Sequence, residues 1–404
     1  MHGHYRYYHL QTSPARDVLI LVSTAIPVAL LLLAGCSRDY SPKREDINGI
    51  EYVHNRAHPL EGDPLPQPEQ ANSLLLLQGG SGGIPAWSAV RDVRAAPDSG
   101  WAVIDMHHQE VSWFDRWGNV EVSMDLSRPP LGLTSPVAAA FFETGGGVSI
   151  DMALRRVVTF NAEGALLAAF DVGGGLPMDL DLGSQGDLYI LTISHPSGGR
   201  EQVTQVRRYD MAGSPRAISG NDSLLLERRT SGDVTYPIPM SLSVGSRGTL
   251  YASGLNYTIH QVLPGGGRRV ITRSTIGSRI PDYVVEQRRS LMQLRVESQQ
   301  REVSIVEEVA IVQLVALSDG GVLVQTNEWH PALLDDALNS QVNILLLDQF
   351  SEDGSYVRRH AVEVPLPRTV VHLTDEDDGF IYGFAVPSTG SGPTTVFRFN
   401  LPTG

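Results

Sequence analysis

One unit of sequence recurs along most of this chain, and it leaves few folds open. A turn ending in glycine leads into a short apolar strand. After a loop comes a second strand, closed by an aromatic residue with Asp or Asn and then another glycine turn. The first copy is Gly100-Trp101-Ala102-Val103-Ile104-Asp105 followed by Trp113-Phe114-Asp115-Arg116-Trp117-Gly118. Later copies begin at Gly147, Gly186, Gly248, Gly321 and Gly379, and their second strands end at Phe160-Asn161, Tyr209-Asp210, Val262-Leu263, Asp348-Gln349-Phe350 and Phe399-Asn400. The fourth copy is the most degenerate. Each glycine suits a turn that needs a positive φ, and each run fits a strand buried on one or both faces. The leading glycines are 47, 39, 62, 73 and 58 residues apart. A four-stranded propeller blade takes about 40–45 residues, so the longer intervals imply insertions. A lone hairpin cannot bury its faces, and radial stacking of such units supplies the missing core.

The ends of this region argue for a closed ring. The sixth copy runs out at Asn400-Leu401-Pro402-Thr403-Gly404, with no residues left for a fourth strand. An unpaired apolar run, Ser73-Leu74-Leu75-Leu76-Leu77, precedes the first copy. Joining the two would hide both open sheet edges. The expectation is an all-β, six-bladed β-propeller over residues 72–404, closed by an N-terminal strand. One helical insertion, 274–304, is expected between blades four and five, with its helix opening at Pro281.

Composition excludes several alternatives. A formal charge of −14 makes duplex binding a poor fit, because affinity for phosphate backbones comes from clustered Lys and Arg. No nucleic-acid partner is expected. A single Cys rules out a disulfide framework and any cysteine-cluster metal site. No cofactor is specified by the sequence.

The repeats resemble the six-bladed β-propellers of bacterial lipoproteins and the related NHL-repeat proteins. The acidic residue that often follows the inner strand pair in NHL repeats is matched by Asp105 and Asp151, whereas the later copies carry Thr192, Ser253, Thr326 or Phe384 nearby. The resemblance implies a binding scaffold, with some enzymes among its relatives, so fold alone does not settle function.

A separate pattern governs the N-terminus. Arg6 and Arg16 precede an apolar run from Val18 to Ala34, which ends in Leu33-Ala34-Gly35-Cys36-Ser37. This is a signal-peptide layout whose end resembles the lipobox of bacterial lipoproteins. The resemblance implies removal of residues 1–35 and acylation of the Cys36 thiol by chains such as palmitate. At 17 residues with a proline inside, the run is short for a membrane span, which needs about 20. Ser37 in place of Asp favours the outer over the inner membrane. Residues 36–71, rich in Pro, then read as a tether holding the body off the bilayer, with a strand-like piece at Gly49–Val53 able to dock on it.

In a propeller, the connections from strand two to three and from blade to blade share one face. Here that face receives most of the irregular sequence, and loops on a rigid scaffold are where binding residues concentrate. The candidate ligand-binding residues are His107, His108, His195, Trp329 and His330, with Arg288, Arg289 and Arg295 of the insertion. The histidine loops could converge as a metal site over the channel mouth, or be ordinary exposed loop histidines. Trp329 reads as an aromatic platform or as a cap packed on a blade edge. Arg268, Arg269, Arg273, Arg279, Arg288, Arg289, Arg295 and Arg301 form a basic island: a dock for an anionic glycan, headgroup or acidic partner, or a solvated face held by ion pairs. Asp92, Asp105, Asp151 and Asp179 either line the channel or cap turns and satisfy backbone N–H groups. The functional expectation is a lipid-anchored, extracytoplasmic module that binds a protein, peptide or glycan. The alternative is a metal-dependent propeller enzyme, a lactonase-like hydrolase or a lyase.

Overall fold

The computed structural model describes residues 41–56, 66–96, 100–142, 145–195, 201–230, 234–236, 241–254, 257–274, 303–305, 310–328, 330–334, 341–387 and 392–402. The chain divides at Ser41 into two compact units, and the second, Pro42–Gly404, holds all the described elements. It opens with β1 (Lys43–Ile47) and β2 (Ile50–Asn55), then β3 (Glu69–Gln70) and β4 (Asn72–Gln78).

Six antiparallel sheets follow. Blade one is β5 (Val90–Ala96), β6 (Gly100–Asp105), β7 (Glu110–Phe114) and β8 (Val120–Asp125); blade two is β9 (Pro136–Phe141), β10 (Gly147–Asp151), β11 (Arg156–Phe160) and β12 (Leu166–Asp171). Blade three runs through β13 (Leu176–Leu182), β14 (Leu188–Ser194) and β15 (Glu201–Tyr209), whose far edge pairs with β16 (Pro215–Arg216) and β17 (Leu224–Thr230). After β18 (Val234–Tyr236), blade four is β19 (Leu242–Val244), β20 (Leu250–Gly254), β21 (Thr258–Val262) and β22 (Arg268–Arg273). A short strand β23 (Val303–Ile305) pairs parallel with β18. Blade five is β24 (Ile311–Ala316), β25 (Val322–Thr326), β26 (Asn343–Phe350) and β27 (Tyr356–Val364). Blade six takes β28 (Thr369–Asp377), β29 (Phe380–Pro387) and β30 (Thr395–Asn400), and its outer strand is β4, which pairs antiparallel with β30 from Gln78 opposite Thr395 to Asn72 opposite Asn400.

The first strand of each blade lies innermost, and these six pack in cyclic order β5, β9, β13, β19, β24, β28 and back to β5. One apolar cluster fills each gap between blades. Trp87, Trp101 and Phe114 of blade one meet Tyr382, Phe384 and Val396 of blade six. Ile104 meets Val158 and Phe160, Val148 and Ile150 meet Leu188 and Ile190, and Leu191 and Val206 meet Leu250 and Ala252. Tyr251 and Ile259 then pack on Val322 and Phe350, and Leu345 and Leu347 on Phe397 and Phe399. The middle strands of the blades therefore bury both faces, which suits near-continuous apolar runs such as Trp101–Ile104 and Val322–Val324.

The turns between third and fourth strands repeat one geometry. Gly118 and Gly213 sit at φ +87 in these turns, and a Cβ on Gly213 would lie 2.4 Å from Cγ of Phe170. Glycine is required there by conformation and by space.

The strand-like piece expected at Gly49–Val53 docks on the body as part of a longer hairpin. Residues 43–55 form a hairpin around Asn48 and Gly49, and β2 adds in parallel to the outer edge of β22, making blade four six-stranded. β3 adds in parallel to β27 of blade five. Most of the expected helical insertion lies outside the described residues. The stretch expected to be its helix, from Pro281 to about Ser298, falls wholly there, and Val303 and Ser304 at its far end belong to a strand; among the described residues the only helical element is the short 3₁₀ turn Pro331–Leu334.

Candidate functional site

The axis of the ring carries a buried charge cluster. Five inner strands are bulged, and in three of them, at Val90/Asp92, Pro177/Asp179 and Leu373/Asp375, an aspartate follows the bulge. A bulge re-aims the next side chain, here out of the blade's own pleat. Arg94 lies two residues beyond Asp92 on the same face of its strand. Its Nε donates to Asp92 at 2.9 Å, while Nη2 crosses to the Leu180 carbonyl at 3.2 Å and Asp179 at 3.4 Å. Nη1 lies 3.6 Å from Asp181. The guanidinium thus bridges blades one and three. The intervening inner strand has only Ala138, Ala139 and Ala140 at this level, and their methyl groups leave room for it.

These carboxylates do a second job. Inner strands of neighbouring blades belong to different sheets, so their edge N–H groups need side-chain acceptors. Asp92 accepts from Ala139 N–H at 3.3 Å, Asp179 from Leu242 at 3.1 Å, Asp181 from Val244 at 2.7 Å and Asp375 from Ala95 at 2.8 Å. Ser241 and Ser243 accept likewise from Leu314 and Ala316, and the Gln325 amide from Leu373. Among the described residues, five of the six gaps are laced in this way. Burial pushes all four carboxyls upward, with Arg94 opposing the rise; Asp179 and Asp375 reach about 7. One cation facing four acids accounts for the residual rise.

On the face of the second-to-third-strand loops, Asp105 and Asp151 are loop clamps. Asp105 accepts from the N–H groups of Ser88 at 2.7 Å and His107 at 2.8 Å, and Asp151 from Leu154 at 2.7 Å and Ser135 at 3.0 Å. Burial opposes their charge, yet the surrounding amides outweigh it and hold both carboxyls below the ordinary range. Each therefore ties a strand-two turn to the preceding interblade loop. Ser253 serves blade four through Ser241, and Asn327 serves blade five through Ala310. Asp, Ser and Asn share only the capacity to accept a hydrogen bond, which is why the sequence pattern fades after the second copy.

The candidate histidines do not behave as one group. His107 and His108 are exposed, with rings edge-to-face at 5.5 Å, and Nδ1 of His108 is 3.1 Å from Asp105. His195 is also exposed on its loop. His330 is buried instead: its Nδ1 accepts from Ala332 N–H at 3.2 Å, so Nε2 donates to the Pro66 carbonyl at 3.2 Å. It pins the incoming N-terminal segment through the Pro66 carbonyl. Among the described residues, no group of three or more His, Cys, Asp or Glu is placed to hold a metal ion. Trp329, Arg288, Arg289, Arg295 and Cys36 lie outside the described residues.

Of the basic island, Arg268, Arg269 and Arg273 are described, and two of them are engaged. Arg269 pairs with Glu51 at 2.7 Å. Arg273 joins a buried network that the sequence did not announce: Asp348, fully buried on β26, takes ion pairs from Arg273 and Arg359 and a hydrogen bond from the Tyr257 hydroxyl. Arg359 also meets Glu328 at 2.5 Å. Burial works to raise the Asp348 carboxyl, but Arg359 and Arg273 hold it below its usual value. With two cations and two acids the network is balanced, and it locks blade four to blade five.

Two concavities among the described residues lie on the opposite face. One is bordered by Asp187, Arg208, Asp210 and Arg216 of blade three, the other by Arg116, Asp377, Asp378 and Arg398 where blades one and six meet.

No family model matches the chain, and no curated protein is similar to it. Solved structures are similar at low identity. A virginiamycin B lyase from Staphylococcus aureus, crystallised with quinupristin, is 10% identical, with 82% of this chain and 90% of that one covered at a TM-score of 0.44. A streptogramin B lyase is 10% identical over 82% of this chain and 88% of its own, with a TM-score of 0.45. Regucalcin of Agrobacterium tumefaciens, a calcium-binding protein, is 14% identical over 78% and 91%, with a TM-score of 0.44. The class of this chain, an all-β six-bladed propeller, stands on its own strand pairing.

Proposed function

We propose that this chain is a lipid-anchored, extracytoplasmic binding module that engages a protein, peptide or glycan through its strand-two-to-three and interblade loops. The observation that carries the reading is the state of the axial carboxylates. Asp92, Asp179, Asp181 and Asp375 each accept an interblade N–H, and Arg94 faces all four. They act as ring fasteners, and a cation placed among them would contend with the guanidinium. The exposed His107, His108 and His195 lie on the proposed binding face, over a frame that Asp105 and Asp151 make rigid. The lipobox-like Leu33-Ala34-Gly35-Cys36 supports the anchor and an address in the cell envelope, the outer membrane in preference to the inner.

Two measurements test this. Metabolic labelling with palmitate should mark the full chain and be lost in Cys36→Ser; equal labelling of both would refute the anchor. Metal analysis of the purified Pro42–Gly404 body should return substoichiometric metal. One tightly held divalent ion per chain would overturn the binding reading in favour of a metal-dependent hydrolase or lyase.

A further inference from the structure

We propose that the outer rim of blade four, built by the β1–β2 hairpin, faces the lipid bilayer, so that the propeller stands edge-on with blade one turned away. This rests on the lipid anchor at Cys36, and it replaces a long tether with a short one. Only residues 37–42 separate Cys36 from the first residue of the hairpin. Six residues span at most about 20 Å when fully extended. The hairpin itself projects two strands, about 10 Å, beyond the edge of β22.

The hairpin is fixed to the body along its whole length. Six residues of β2, Ile50–Asn55, pair in register with Arg268–Arg273. Val53 is fully buried in the cluster with Tyr257, Ile271 and Phe350. The buried Asn55 amide donates to the Gly354 carbonyl at 3.0 Å and accepts from Tyr356 N–H at 2.8 Å, which ties the hairpin to blade five as well. Arg44 is 2.6 Å from both Glu51 and Asp353. An anchor pulling on Lys43 therefore acts on blades four and five directly.

The rim is not a polybasic patch: Lys43 and Arg44 are followed by Glu45 and Asp46. Attraction between charges does not orient the body, and the short covalent reach does. Blade one lies three places round the six-membered ring from blade four, on the opposite side. Its outer edge exposes Trp117 and Val122 at 66% and 53%, an apolar surface the anchor keeps clear of the lipid.

The test uses the full, processed chain in phosphatidylcholine vesicles carrying a headgroup energy-transfer acceptor. Acylation consumes the only cysteine, so an introduced one is the sole reactive thiol. Donor dyes at Ile47→Cys and Val122→Cys then report the two rims. Transfer from position 47 should exceed that from position 122 several-fold; equal or reversed transfer overturns the proposal. A flexible 20-residue Gly/Ser insertion between Ser41 and Pro42 adds about 25 Å of reach and leaves the hairpin intact, so it should erase the difference. A difference that survives the insertion also overturns the proposal. Thiol titration of the unsubstituted chain separates the two readings: a free thiol there means the anchor itself has failed, whatever the dyes report.

Discussion

Replacing Asp375 with Asn should stabilise the propeller at pH 8 and leave it nearly unchanged at pH 5. Burial raises the Asp375 carboxyl from 3.8 to about 7, with the pull of Arg94 only partly offsetting it. The folded state therefore keeps this proton up to about pH 7, while the unfolded chain releases it near 3.8. Between those values the folded state binds more protons, so this group's contribution to stability falls as pH rises through the window and is flat above it. A shift of about three units corresponds to about 4 kcal/mol. Asn keeps an acceptor for Ala95 N–H and removes the charge, at a cost of about 1 kcal/mol in weakened hydrogen bonding. The expected gain at pH 8 is about 2–3 kcal/mol, shrinking towards zero by pH 5. Urea unfolding of the Pro42–Gly404 body at pH 5, 6, 7 and 8 reads it as the difference between variant and parent. That difference is needed because His260, His360 and His372, which burial holds down to about 4, oppose the trend. Their neutral folded forms make stability rise with pH from about 4 to 6.5 in both proteins. A difference that is flat across the four pH values, or negative at pH 8, would refute the axial-charge argument.

Arg94→Met should destabilise the body by about 3–5 kcal/mol at pH 7, because it leaves buried carboxylates without their cation. The loss should be smaller at pH 5, where Asp179 and Asp375 hold protons; an equal loss at both values would contradict the cluster's electrostatics. Asn55→Ala should cost about 2 kcal/mol by removing the two buried hydrogen bonds that the Asn55 amide makes with Tyr356 N–H and the Gly354 carbonyl. Hydrogen exchange should then accelerate in residues 43–55 ahead of the blades, and unchanged protection there would show that the strand pairing alone holds the hairpin.

How much of this was legible depends on whether the signal was local. Glycine turns followed by apolar strands are local, and the blade units could be read from them even where Val262-Leu263 replaces the usual aromatic-Asp pair. The hairpin carried a local signal too: Asn48-Gly49, both at positive φ, is a strong hairpin dipeptide. It was obscured because β1 reads Lys-Arg-Glu-Asp-Ile, with no apolar alternation. The axial cluster was half visible. Asp92 and Asp179 stand out as acids near inner strands, but Arg94, Asp181 and Asp375 share their surroundings only once the ring places blades one, three and six around one axis. His330 reads as a loop histidine because its partner, Pro66, is 264 residues away. The Asp348 network escaped for the same reason: Tyr257, Arg273, Glu328 and Arg359 come from two blades, and no spacing rule links them.

Residues 43–78 supply edge strands to blades four, five and six in turn, through β2, β3 and β4. The earliest part of the body to leave the ribosome must therefore wait for the last to be made before it finds its partners. Pairings this distant in sequence make folding slow and leave edges exposed meanwhile. A shortened C-terminus would accordingly do more than delete one strand: it would strand the leading one, and the chain's two ends would fail together.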